Sequence, residues 1–173
     1  MRHIFTILIF ALFLALFSGC ISDPGFDKTK FEDLGRTAQA LRTAITSSSP
    51  CNVPQDLEQQ LASDIAAAGE KAASKPEQNV VAAYSRLLSA YRDGLLLCRS
   101  RGHLANFGFL PKGRIVVSQD VDPLVRKYGL PTDKHRFKDT DAYIYSIDAH
   151  AIDVVWEAAL AQIKSIEAEV KYR

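Results

Sequence analysis

Apolar residues recur along this chain at steps of three and four, the period of one face of a helix. Phe31, Leu34, Ala38, Leu41 and Ile45 follow a capping-box pattern, Thr29-x-x-Glu32, and predict a first helix that stops at Ser47-Ser48-Ser49-Pro50. A second begins near Asn52 to Pro54, proline being accepted in a first turn, and carries Leu57, Leu61, Ile65, Ala68 and Ala72 on one side. Ser74-x-x-Glu77 with Pro76 opens a third. Its apolar face is Val80, Tyr84, Leu87, Tyr91, Leu95 and Cys98, with Arg86, Arg92 and Asp93 off it. A last helix places Ile152, Val155, Ala159, Ile163, Ile166 and Val170 together, with Lys171 and Arg173 complementing its C-terminal dipole.

The stretch from 100 to 140 breaks this rhythm. It holds four Gly and three Pro, brief apolar runs such as Ile115-Val116-Val117, and one short helix capped at Asp122-Pro123 and stopped by Gly129. Tyr143 to Ile147 alternates aromatic and aliphatic residues, the signature of a strand or of the first turns of the last helix, and we read it as helix. The expected fold is therefore all-α: an up-down-up-down bundle over residues 29–173, with an irregular insertion at about 100–140 before the last helix. Short connections make the first three helices antiparallel neighbours. The insertion then starts at the end of the bundle opposite the one where the chain enters.

Upstream of the bundle the pattern is of a different kind. Arg2 gives a positive start, and Ile4 to Phe17 is apolar except for Thr6. Such a run falls short of the roughly 20 residues a spanning helix needs and fits the core of an export signal. It ends in Phe17-Ser18-Gly19-Cys20, which resembles the lipobox of bacterial lipoproteins, with Phe17 where Leu is usual. That resemblance implies a signal peptide at 1–19, removal of it, and acylation of Cys20 as the new N-terminus. It also implies attachment to a lipid bilayer through Cys20. Ile21-Ser22 lacks the Asp that retains enteric lipoproteins at the inner membrane, so the implied site is the periplasmic face of the outer membrane. Residues 20–28 are then the tether; the eight after Cys20 reach at most about 28 Å, which keeps the domain near the lipid.

Charge narrows the partners. The chain has 21 Lys+Arg and 20 Asp+Glu, a formal charge of +1, which speaks against an obligate nucleic-acid binder. At 47% hydrophobic and 24% charged residues it has the composition of a globular domain. Cys51 precedes the second helix and Cys98 closes the third, points that meet at one end of an antiparallel pair. An exported compartment favours their oxidation to a disulfide.

Catalytic motifs fail in turn. Gly108 to Gly113 has the glycine spacing of a phosphate loop, but Arg114 and Ile115 stand where Lys and Ser/Thr are needed, and Pro111 interrupts the cradle. No His-Glu-x-x-His, Gly-x-Ser-x-Gly or Glu-x-x-His pattern occurs. Asp148, His150 and Asp153 are close in sequence, and we read them as a capped helix start with a solvated histidine rather than a metal site. The expectation is a chain with no catalytic residues, cofactor or metal.

Two softer features remain. Between Asp93 and Asp120 no acid occurs, while Arg99, Arg101, Lys112 and Arg114 surround Phe107 and Phe109. Cations interleaved with aromatics suit an acidic or amphipathic partner, and these six are the candidate partner-binding residues. Tyr84, Tyr91, Tyr143, Tyr145 and Trp156 are the alternative, an aromatic interior for a small apolar ligand. The functional expectation is a non-enzymatic lipoprotein with a binding or assembly role toward another envelope protein.

Overall fold

The computed structural model describes residues 25–47, 51–102, 110–136 and 140–172. The leader, Cys20 and most of the tether lie outside these, as do Phe107 and Phe109. In chain order the elements are α1 (Glu32–Ser47), α2 (Asp56–Lys71), α3 (Lys75–Gly102), β1 (Arg114–Val116), α4 (Asp122–Tyr128), β2 (Asp133–Arg136), β3 (Tyr143–Asp148) and α5 (Ala151–Tyr172). A 3-10 turn, Lys28–Phe31, leads into α1. No helix among the described residues is long and apolar enough to cross a membrane.

The four long helices pack in the order α1, α2, α3, α5, and α5 returns to α1. Their directions follow from the residues that meet. Lys28 Nζ donates to the Lys171 carbonyl at 3.3 Å, and Lys30 pairs with Glu77 at 2.8 Å. The start of α1, the start of α3 and the end of α5 therefore share one end. At the other end a disulfide joins Cys51 to Cys98, with Cα atoms 5.2 Å apart. The expected pairing of these cysteines is present.

The periodic faces account for the core. Phe31, Leu34, Ala38 and Leu41 of the first segment, Leu61 and Ala68 of α2, and Val80, Tyr84, Leu87, Tyr91 and Leu95 of α3 are buried. So are Ile152, Val155, Ala159, Ile163 and Ile166 of α5, while Ile45, Leu57, Ile65, Cys98 and Val170 are partly covered at its margin. Gly94 belongs to the α3 face as well. A Cβ there would press into the six-membered ring of Trp156, which is 3% exposed and packs 5.5 Å from the Tyr91 ring. Absence of a side chain at 94 is what lets α3 and α5 close around the indole.

Of the two predicted capping boxes, one forms and one is replaced. Ser74 and Glu77 form theirs reciprocally: the Ser74 amide donates to Glu77 Oε2 at 3.0 Å, and the Glu77 amide to Ser74 Oγ at 3.4 Å. The box at Thr29 and Glu32 gives way to another cap. Asp27 Oδ1 accepts from both the amide and the hydroxyl of Thr29, at 3.0 and 2.7 Å, and the 3-10 turn takes the place of a first α-turn.

Glu77 does more than cap. Its side chain is fully buried, and it also accepts from Lys30 Nζ at 2.8 Å, the Ala73 amide at 2.8 Å and the Asp27 amide at 3.2 Å. The Lys30 ammonium first, and then the Ser74 amide, hold its carboxyl down at about 2 against the opposing effect of burial, where an ordinary glutamate titrates at 4.5. A carboxylate whose pKa is lower folded than unfolded stabilises above the unfolded value, and that contribution is lost as pH falls toward the folded one. We expect the thermal midpoint to fall between about pH 5 and pH 2 more steeply in the wild type than in Glu77→Gln, which has no charge to lose. Parallel midpoint curves from calorimetry would contradict this role.

The all-α expectation needs correction. Residues 143–148 form a strand, the centre of a three-stranded antiparallel sheet in the order β1-β3-β2. Arg114 pairs with Asp148 and Val116 with Ser146 on one side; Asp133 pairs with Ser146 and Arg136 with Tyr143 on the other. The fold is mostly helical with this small sheet, and the described part of the insertion, residues 110–136, contributes β1, α4 and β2. Ile115 and Ile147 are buried and anchor the sheet to the core, as Val121, Leu124 and Leu130 anchor α4 and the turn after it. Tyr143 and Tyr145 share the Ile147 face by strand alternation, but extend beyond the core and are about half exposed.

Candidate functional site

The site grows out of the end of the molecule where the disulfide lies. α3 has 28 residues and is about 42 Å long, so its last turn is far from the entry of α1. That turn brings Arg101 against the loop before β1 and the start of α5. Together Arg101, Lys112, Gly113, Asp148, His150 and Asp153 line most of a cleft of about 360 Å3, with Ile152 buried beside it.

The cleft's walls are fixed by backbone. The Ala149 amide donates to the Gly113 carbonyl at 2.9 Å, tying the β1 loop to the β3–α5 turn. Gly113 has φ of 82°, a left-handed conformation that glycine adopts without strain. Asp148 Oδ1 accepts the His150 amide at 2.9 Å and so starts α5 at Ala151. Residues 143–148 are paired on both sides in the sheet, so the helix does not extend back over them.

Its acids are already engaged. The His150 amide, followed by the Arg114 and His150 charges, holds the Asp148 carboxyl below the usual range. Asp153 Oδ2 lies 2.9 Å from His150 Nδ1. This bond, with the field of Asp148 and Asp153 added, raises the His150 imidazole above its ordinary value, and its side chain is 90% exposed. The solvated histidine just before the helix start is as expected. No cluster of three or more His, Cys, Asp or Glu able to hold a metal ion occurs among the described residues.

The predicted cations divide. Arg101 and Lys112 line the cleft and are exposed, and neither is ion-paired among the described residues. Arg99 is exposed on α3 outside the cleft lining. Arg114 is held inside the sheet. Its guanidinium pairs with Asp133, reaches Asp148 at 3.5 Å and donates from Nε to Ser146 Oγ at 3.1 Å, with only 14% of the side chain exposed. Ser146 is fully buried and its hydroxyl also meets His135 Nε2 at 2.8 Å. Arg114 thus clamps all three strands instead of projecting a charge outward. Phe107 and Phe109 lie outside the described residues.

The aromatic set is likewise split. Tyr84, Tyr91 and Trp156 are core residues, whereas Tyr143 and Tyr145 sit on the sheet, Tyr143 under Lys134 Nζ at 3.8 Å from the ring centre. Of the five, Tyr145 contributes to the lining of a cleft, beside Val117 and Val125. The sequence pattern does not signal the Gly94 niche for Trp156 or the association of His150 with Arg101 and Lys112. No protein-family model, curated protein or solved structure matches the chain.

Proposed function

We propose that this chain is a lipid-anchored envelope protein, held to a bilayer by acylated Cys20, whose helical domain binds a protein partner through the end opposite its anchor. The reading is non-enzymatic. The Phe17-Ser18-Gly19-Cys20 pattern supports the anchor, and the Cys51–Cys98 disulfide supports an oxidising compartment. Of the three cysteines, the bridge takes the two in the domain and leaves the one in the leader pattern. The periplasmic face of the outer membrane remains the proposed location.

One observation carries the binding role: Arg101 and Lys112, two exposed cations without ion-pair partners among the described residues, share a cleft at the end remote from the start of α1. Arg114, by contrast, is spent within the fold on Asp133 and Asp148. Binding residues concentrate on loops and element ends set on a rigid scaffold. A photoreactive residue at Lys112 in the intact envelope is expected to capture a discrete protein adduct. The same residue at Arg36, exposed on the side of α1, is expected to capture none. Equal adducts from both positions, or adducts from Arg36 alone, would place the contact elsewhere.

A further inference from the structure

The cleft's chemistry defines what its partner brings. Counting Arg101, Lys112 and the sheet-bound Arg114 against Asp148, Asp153 and Asp133, the formal charges around it balance. His150 decides the remainder. Its Nδ1 faces Asp153, so the neutral ring donates there and turns an acceptor, Nε2, toward solvent. Protonation converts Nε2 to a donor and leaves the surroundings with one positive charge in excess. A single carboxylate matches that excess. A phosphate dianion does not, because Asp148 and Asp153 stand in the same wall.

We propose that this cleft receives one carboxylate from an acidic segment of the protein partner, held by Arg101 and Lys112 with His150 as a third, proton-dependent donor. This rests on the binding role proposed above and adds the partner's chemistry and its dependence on pH. The groups that face His150 are Asp153 on its own helix, Asp148 on β3, Lys112 in the loop before β1 and Arg101 on α3, with Arg114 of β1 acting through Asp148. Histidine is the side-chain type whose charge ordinarily changes between mildly acid and mildly alkaline solution. Affinity for a carboxylate should therefore rise as His150 gains its proton.

The test uses the full protein in detergent micelles, followed by the amide resonances of Gly113 and Ala149. A blocked peptide with one glutamate is titrated beside its glutamine counterpart and inorganic phosphate. The glutamate peptide should give saturable shifts, about two- to fivefold tighter at about pH 5.5 than at about pH 8.5, the range an exposed charge pair supplies. His150→Gln, at a position whose side chain is 90% exposed, should keep the fold and bind without that pH dependence. Arg101→Gln with Lys112→Gln should lose the shifts. Equal response to the glutamine peptide, tighter binding of phosphate, or a pH dependence that survives in His150→Gln would each overturn the proposal. Capture of a partner from Lys112 alongside silence toward the glutamate peptide would defeat this inference and leave the binding role standing.

Discussion

Replacing Cys51 and Cys98 together with serine is expected to lower the unfolding free energy by about 4 kcal/mol. The two cysteines are 47 residues apart, and closing a loop of that size removes this much entropy from the unfolded chain in the chain-entropy model. The loop contains all of α2 and most of α3, so the unfolded chain loses the freedom of two of the four long helices at once. In the folded state the bridge costs little, because α2 and α3 already pack side by side with Cα atoms of the cysteines 5.2 Å apart. A domain of this length loses roughly 2–4 °C of thermal midpoint per kcal/mol, so the variant should melt about 10 °C lower. The oxidised wild type treated with reductant should reproduce the variant. A difference below about 1 kcal/mol by denaturant titration would mean that the helix pairing alone holds this end.

The second large effect concerns location. If Cys20 is the acylated residue, Cys20→Ser should abolish membrane attachment through lipid, either leaving the precursor uncleaved after Gly19 or releasing a soluble domain. Each buried methylene contributes about 0.8 kcal/mol, so several acyl chains hold a domain that a bare N-terminus does not. None of the helices among the described residues is long and apolar enough to cross a membrane. Fractionation of cells carrying the variant, with the size of the product read in each fraction, checks this. Mature-sized protein that stays with the membrane in the Cys20→Ser variant would contradict the anchor.

Much of the fold was legible because its determinants are local. The faces of α1, α2, α3 and α5 are written at a period that the chain itself enforces, and Ser74 reads Glu77 only three residues away. What was missed depends on residues far apart in sequence. Tyr143 to Ile147 alternates as a strand should, but a lone five-residue alternation does not reveal its partners; those are Arg114–Val116 and Asp133–Arg136, upstream. Arg114 looked like one cation in an acid-free stretch, and its acids, Asp133 and Asp148, lie 19 and 34 residues on. Gly94 carries no apolar signal at all, and only the position of Trp156 gives it meaning. The cleft follows the same logic. Arg101 and Lys112 were visible as cations and His150 as a helix-start residue, but the Gly113–Ala149 backbone bond that brings them together is a product of the sheet.

The central claim is the anchor, because it fixes which end of the molecule faces the lipid and hence which end is free to bind. Intact-mass spectrometry of the wild-type protein extracted from membranes tests it most directly. The extracted chain is expected to begin at Cys20, carry the mass of acyl groups on that residue, and retain one Cys51–Cys98 bridge. A membrane-extracted chain that keeps residues 1–19, or starts elsewhere with no acyl mass, would contradict it.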